Sequence, residues 1–182
     1  MIANTNKKGE YTPSEYDIRW YLDHYTFYFI PLLNPDGYEI ALKGFDSIRD
    51  DELRKSAKEM GIDSKEWKYN ARGVDINRNF PSKTWQAKER NLSPGSENET
   101  QALMRVFSQI PAEGYLDLHS RGKVIYYYRH FMDDAYNRRQ KYIADRLIEV
   151  TGYELMPPED EIEMYDTGGN TVHYFSEQFG KP

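Results

Sequence analysis

Apolar and polar positions along the chain switch between two periods. Residues 25–33 are dense in aromatic and β-branched side chains and predict a buried strand. Asn34-Pro35-Asp36-Gly37 then reads as a tight turn, with Pro setting one dihedral and Gly supplying the positive one. The charged stretch 46–60 carries Leu53, Ala57 and Met60 on one face and predicts a short surface helix stopped by Gly61. Ser96-Glu97-Asn98-Glu99 fits a capping box, so a helix is expected to start there. Leu103, Val106, Phe107 and Ile110 form its buried stripe, and Pro111 stops it. Residues 114–119 alternate and then turn apolar, which predicts a strand presenting His119 at its C-terminal end, where α/β sheets build their sites. Further along, 124–129 reads as a strand, 133–150 as a long helix with Ile143, Leu147 and Val150 inward, and 171–179 as a shorter helix. This alternation favours an α/β fold of three-layer α/β/α type. Residues 1–15 are a polar lead-in, and 1–182 reads as one domain without repeats or a linker.

Charge and composition narrow the functional classes. Lys and Arg number 24 against 30 Asp and Glu, a net charge of -6, which argues against general affinity for nucleic acid or anionic membranes. No apolar run is long enough to span a bilayer and the first twenty residues lack the apolar core of a signal peptide, so localisation stays open. With no cysteine, any metal must be held by His, Asp or Glu. Sixteen tyrosines in so charged a chain suit clefts and half-exposed strands, where the ring packs and the hydroxyl stays wet.

The densest candidate chemistry lies at 67–81, Trp-Lys-Tyr-Asn-Ala-Arg-Gly-Val-Asp-Ile-Asn-Arg-Asn-Phe-Pro. Arg guanidinium forks and Asn amides in a Gly-punctuated loop suit a planar carboxylate. His119, before Ser120, is a candidate metal ligand, but a catalytic zinc takes three protein ligands. The four histidines are His24, His119, His130 and His173, and none begins a His-x-x-Glu pair. His130 and Asp133 form a His-x-x-Asp pair, with Asp133 read first as a helix N-cap. Glu159, Asp160, Glu161 and Glu163, after Pro157-Pro158, read as a solvated acidic loop.

Asn34-Pro35-Asp36-Gly37, the 67–81 loop and Leu118-His119-Ser120, in that order, resemble the zinc carboxypeptidase family, M14. The resemblance covers nearly the whole chain and implies a carboxypeptidase-like (phosphorylase/hydrolase-like) fold with a mixed, mostly parallel sheet. It implies zinc as cofactor, with His119 as the third ligand, and Asn77 and Arg78 as the pair that grips the substrate's terminal carboxylate. Lys68 stands where the family's oxyanion-stabilising cation, usually Arg, is found, which keeps the charge and loses the fork. Tyr165, before Gly168-Gly169, resembles the tyrosine that closes over substrate, with a spacing one residue short.

The family's His-x-x-Glu motif and general-base Glu have no counterpart in these residues, so the chain is expected to be a domain truncated at both ends and inactive by itself. The expected activity of the intact protein is hydrolysis of a C-terminal peptide bond. The wording of the Trp67 loop resembles bacterial members, including those that cut peptidoglycan stem peptides at γ-D-glutamyl to diamino acid bonds. The alternative is a pseudoenzyme that binds peptide C-terminal carboxylates without hydrolysis. Missing sheet edges lead to an expected tendency to form homodimers or aggregates.

Overall fold

The computed structural model describes residues 18–120, 122–164 and 168–182. Its contacts fall into two units, Met1–Leu33 and Asn34–Pro182. In the first, helix α1 (Ile18–His24) is closed by Trp20 stacking on His24 at 4.3 Å. The strand expected at 25–33 does not form: these residues carry no regular structure, and Tyr28 and Phe29 are 63% and 84% exposed. Strand propensity needs a hydrogen-bonded neighbour to be expressed, and no other described strand lies in this unit.

In the second unit Asn34-Pro35-Asp36-Gly37 is a helix start and not a free turn. Asn34 caps α2 (Pro35–Lys43), its Oδ1 accepting from the Gly37 amide at 2.9 Å, and Pro35 occupies the first turn, where its missing N–H costs nothing. Gly37 is required by proximity, since a Cβ there would lie 2.7 Å from the Tyr69 carbonyl oxygen. Helix α3 (Asp51–Glu59), capped by Asp50, forms within the helix expected at 46–60. Ile40, Ile48, Ala57 and Trp67 make a buried cluster with Leu53 and Met60, so the predicted apolar face of α3 does turn inward. Trp67 meets Phe45 and Tyr69 edge-on at 5.1 and 5.2 Å, which anchors the start of the 67–81 loop in this core.

Helix α4 (Asn98–Gln109) buries Leu103 and Phe107 as expected, but the capping box is absent. Glu97 is the N-cap and makes no side-chain cap bond; Ser96 Oγ donates instead to the Glu97 carboxylate at 2.7 Å. The strand expected at 114–119 is irregular backbone with Leu116 and Leu118 64% and 82% exposed. That at 124–129 shrinks to β1 (Val124–Ile125), which pairs in parallel with β2 (Glu154–Leu155). Helix α5 (Asp134–Thr151) connects them as a βαβ unit. Asp133 caps α5 by accepting from the Tyr136 amide at 2.7 Å, as predicted, whereas Val150, in the last turn, is 72% exposed and Ala144 takes a buried place. The described residues thus form a helix-rich, mixed fold with a small open parallel sheet, compatible with the α/β class. None of their helices is long and apolar enough to cross a membrane.

The acidic segment after Pro157 is helix α6 (Pro158–Met164), and Glu161 is fully buried, not solvated. Its carboxylate accepts from the Tyr127 and Tyr128 amides at 2.7 and 3.1 Å and lies 3.5 Å from the Arg129 guanidinium. Backbone amides freed where β1 ends thereby find an acceptor. Glu161→Ala is expected to cost about 3 kcal/mol in urea denaturation; a loss below about 1 kcal/mol would mean that water replaces the carboxylate. Helix α7 (Thr171–Phe179) forms over the predicted residues, capped by Asn170. Its Phe175 and Phe179 stack around Phe107 of α4 at 5.1 and 6.3 Å.

Candidate functional site

The loop that carries Asn77 and Arg78 is shaped by three buried polar side chains. Asn70 Oδ1 accepts from the Arg72 and Val74 amides at 3.1 and 3.0 Å, while its Nδ2 donates to Glu97 at 2.6 Å. Gly73, at φ +75, allows the chain to reverse between them. Asn79 Oδ1 accepts from the Glu97 amide at 3.1 Å, and its Nδ2 donates to Asn91 Oδ1 at 2.7 Å and Ser96 Oγ at 3.0 Å. Asn70, Asn79 and Glu97 are buried, so both ends of the loop are bolted to the start of α4. Asp75 then starts a one-turn 3-10 helix, Ile76–Arg78, by accepting from the Asn77 amide at 3.1 Å.

Asn77 and Arg78 sit on this turn with different degrees of freedom. Asn77 Oδ1 accepts from both the amide and the hydroxyl of Thr171, each at 3.0 Å, which fixes the orientation of its amide group. Nδ2 consequently faces His119, 3.5 Å from Nε2. Arg78 donates through Nη1 to the Asn77 carbonyl at 2.6 Å. The Arg78 segment is also docked from behind: Phe80 donates to the Gly169 carbonyl at 2.8 Å, and Gly169 donates to Ser82 Oγ at 3.2 Å. Lys68 pairs with Asp75 at 2.7 Å and lies over the Tyr69 ring at 5.4 Å, so any action on a substrate oxygen must compete with Asp75.

His119 Nε2 lies 3.5 Å from both Asp117 Oδ2 and Asn77 Nδ2. The protonated ring donates to Asp117; the neutral ring can accept from Asn77 there. The Asp117 hydrogen bond, opposed by burial and by Arg78, raises its pKa above the ordinary value. Since the folded pKa is the higher one, the contact stabilises fully below the unfolded pKa and fades as pH rises through the folded one. Tyr165 lies outside the described residues.

His173, on α7 beside this region, is fully buried and bonded through Nδ1 to Thr84 Oγ1 at 2.7 Å. Burial above all, then the charges of Arg129, His130 and Arg78, pushes its pKa down to about 2. The unfolded chain takes up this proton near pH 6.5 and the folded chain does not, so stability falls as pH drops below that point. Unfolding free energy measured from pH 6.5 to pH 5 is expected to fall by about 1.4 kcal/mol per pH unit. A flat profile would mean that His173 charges within the fold.

Lys68, Asp75 and Arg78 line a cleft of about 510 Å³, joined by Lys88 and Arg90. Nothing in the pattern of 86–90 separates these last two from an ordinary charged loop; only the fold brings them here. Among the described residues no group of three His, Asp or Glu side chains could hold a metal ion. His119 supplies one imidazole where a catalytic zinc takes three ligands, so these residues by themselves do not fit the ion.

The family model described as zinc carboxypeptidase matches residues 9–173. The uncharacterized protein YqgT of Bacillus subtilis is 34% identical over 112 residues, a match covering 54% of this chain and 29% of that protein. The chain thus spans less than a third of the relative's length. No solved structure matches significantly.

Proposed function

The chain belongs to the zinc carboxypeptidase family, and on that premise we propose that Asn77 and Arg78 hold the C-terminal carboxylate of a peptide. The observation that carries this reading is the double Thr171 bond to Asn77 Oδ1. It commits the acceptor end of the amide and turns the donor end towards His119 Nε2 at 3.5 Å, a long contact that a substrate carboxylate would replace. Lys68, in the same cleft, is the proposed cation for the carbonyl oxygen of the terminal peptide bond, shared with Asp75 until substrate enters. His119 is the proposed metal ligand and Tyr165 the proposed cover over bound substrate. Zinc, which the family uses to polarise the carbonyl and activate water, would need ligands beyond the described set.

For the whole protein the proposed activity is release of a C-terminal residue, with bacterial cell-wall stem peptides as the proposed substrates. A three-layer α/β/α arrangement and a homodimer are the proposed architecture. Peptide titration tests the binding reading directly. Arg78→Gln and amidation of the peptide C-terminus are each expected to weaken binding about a hundredfold, the worth of a charge-assisted pair of bonds. Equal affinity for free and amidated peptides would sink the carboxylate role. Release of diaminopimelate or lysine from defined stem peptides by the full-length protein tests the substrate. A preference there for ordinary L-peptides would exclude cell-wall specificity.

A further inference from the structure

We propose that Lys88 reads a second carboxylate, carried on the side chain of the substrate's C-terminal residue. This rests on the reading that Asn77 and Arg78 hold the main-chain carboxylate. The cleft presents four cations, Lys68, Arg78, Lys88 and Arg90, against Glu59, Asp75 and Glu89. Two of the cations are already engaged. Lys68 is paired with Asp75 at 2.7 Å, and Arg90 donates to Ser56 Oγ at 2.6 Å. Glu59, in turn, lies 3.9 Å from Lys55. With Arg78 assigned to the main-chain carboxylate, Lys88 is the cation left over, and its ammonium has no ion-pair partner among the described residues.

Its position relative to Arg78 is set by the backbone. Lys88 and Asn91 exchange amide-to-carbonyl bonds of 3.0 and 2.9 Å, closing a tight hairpin. Asn91, buried, donates through Nδ2 to the Arg78 carbonyl at 2.5 Å and accepts from Asn79 Nδ2 at 2.7 Å. One asparagine therefore ties the Lys88 hairpin to the residue that grips the chain end. The Lys88 side chain itself stays exposed, with stem flexibility enough to follow side chains of different length. A cleft of about 510 Å³ is far larger than one carboxylate and suits a whole terminal residue. The shared chemistry is a side-chain carboxylate, as in glutamate or at the distal end of diaminopimelate.

The test uses the 182-residue chain and calorimetric titration with acetyl-alanyl dipeptides. The probes end in glutamate, glutamine, diaminopimelate and lysine, plus the glutamate dipeptide amidated at its main-chain carboxyl. Glutamate is expected to bind about tenfold tighter than glutamine, or diaminopimelate about tenfold tighter than lysine, the worth of one charged hydrogen bond. Lys88→Gln should bring that ratio to about one, and Lys88→Arg should retain it. A glutamate-only preference identifies an acidic residue; a diaminopimelate-only preference identifies a zwitterionic one, with Glu89 beside Lys88 as its second partner. A ratio near one in the unsubstituted chain, or one unchanged by Lys88→Gln, overturns the proposal. If that happens while Arg78→Gln still abolishes binding, the carboxylate grip stands and Lys88 alone is excluded. If Arg78→Gln and amidation change nothing, the grip has failed and the Lys88 assignment falls with it.

Discussion

Gly168→Ala is expected to destabilise the folded chain by about 4 kcal/mol, at the upper end of what one added methyl does. The Thr84 carbonyl, which the new Cβ would overlap, is backbone, so no side-chain rotation relieves it. Moving the Thr84 segment disturbs what it holds: Thr84 Oγ1 bonds His173 at 2.7 Å and accepts from the Gly169 amide at 3.5 Å. Gly61→Ala is the control. Gly61 has φ +66 but open space around its missing Cβ, so Ala there carries only the left-handed backbone penalty, about 1 kcal/mol. Chemical denaturation of both variants separates packing from backbone strain. Equal losses would mean that the 168–169 turn moves away from Thr84 without cost, and that the Arg78 segment is less firmly backed than its contacts imply.

Glu97→Ala is expected to cost about 4 kcal/mol and to loosen the carboxylate-binding loop. The buried carboxylate accepts from Asn70 Nδ2 at 2.6 Å, Ser96 Oγ at 2.7 Å and Arg72 Nη1 at 3.3 Å. Its removal leaves the buried Asn70 amide unsatisfied, each such group costing about 1–3 kcal/mol. Glu97→Gln keeps the shape and one acceptor, and should cost about half as much. Peptide affinity measured beside stability makes the result specific, because Asn70 also sets the Arg72 and Val74 amides that lead into the Asn77 turn. Undiminished peptide binding in Glu97→Ala would show that the turn is held by Asn79 and Thr171 alone.

Some of this organisation was legible from local pattern. Asp133 was recognisable as an N-cap because that role needs only a carboxylate one turn before a free amide, and α7 because its apolar spacing and flanking glycines bound it on both sides. The capping box expected from Ser96 and Glu99 does not form: Ser96 Oγ bonds instead to the carboxylate of Glu97, which Asn70 and Arg72, 27 and 25 residues away in the chain, hold in place. Glu161 looked like one of several solvated acids, and no local signal distinguishes it, because the Tyr127 and Tyr128 amides that bind it come from another element. The aromatic run at 25–33 showed the reverse failure: strong strand propensity, with no described neighbour in its unit to pair with.

By itself the sequence determined the family, through motifs whose order along the chain is a one-dimensional property. It also determined the helices whose caps and apolar stripes lie within one or two turns. Only the tertiary structure decided that Asn77 faces His119, because the bond that orients its amide comes from Thr171. It alone brought Lys88 to the same cleft as Arg78, through Asn91. The physical reason is common to both. A side chain's identity is written locally, but hydrogen-bond partners far apart in sequence are assigned only when the chain has paid the entropy of closing the loop between them.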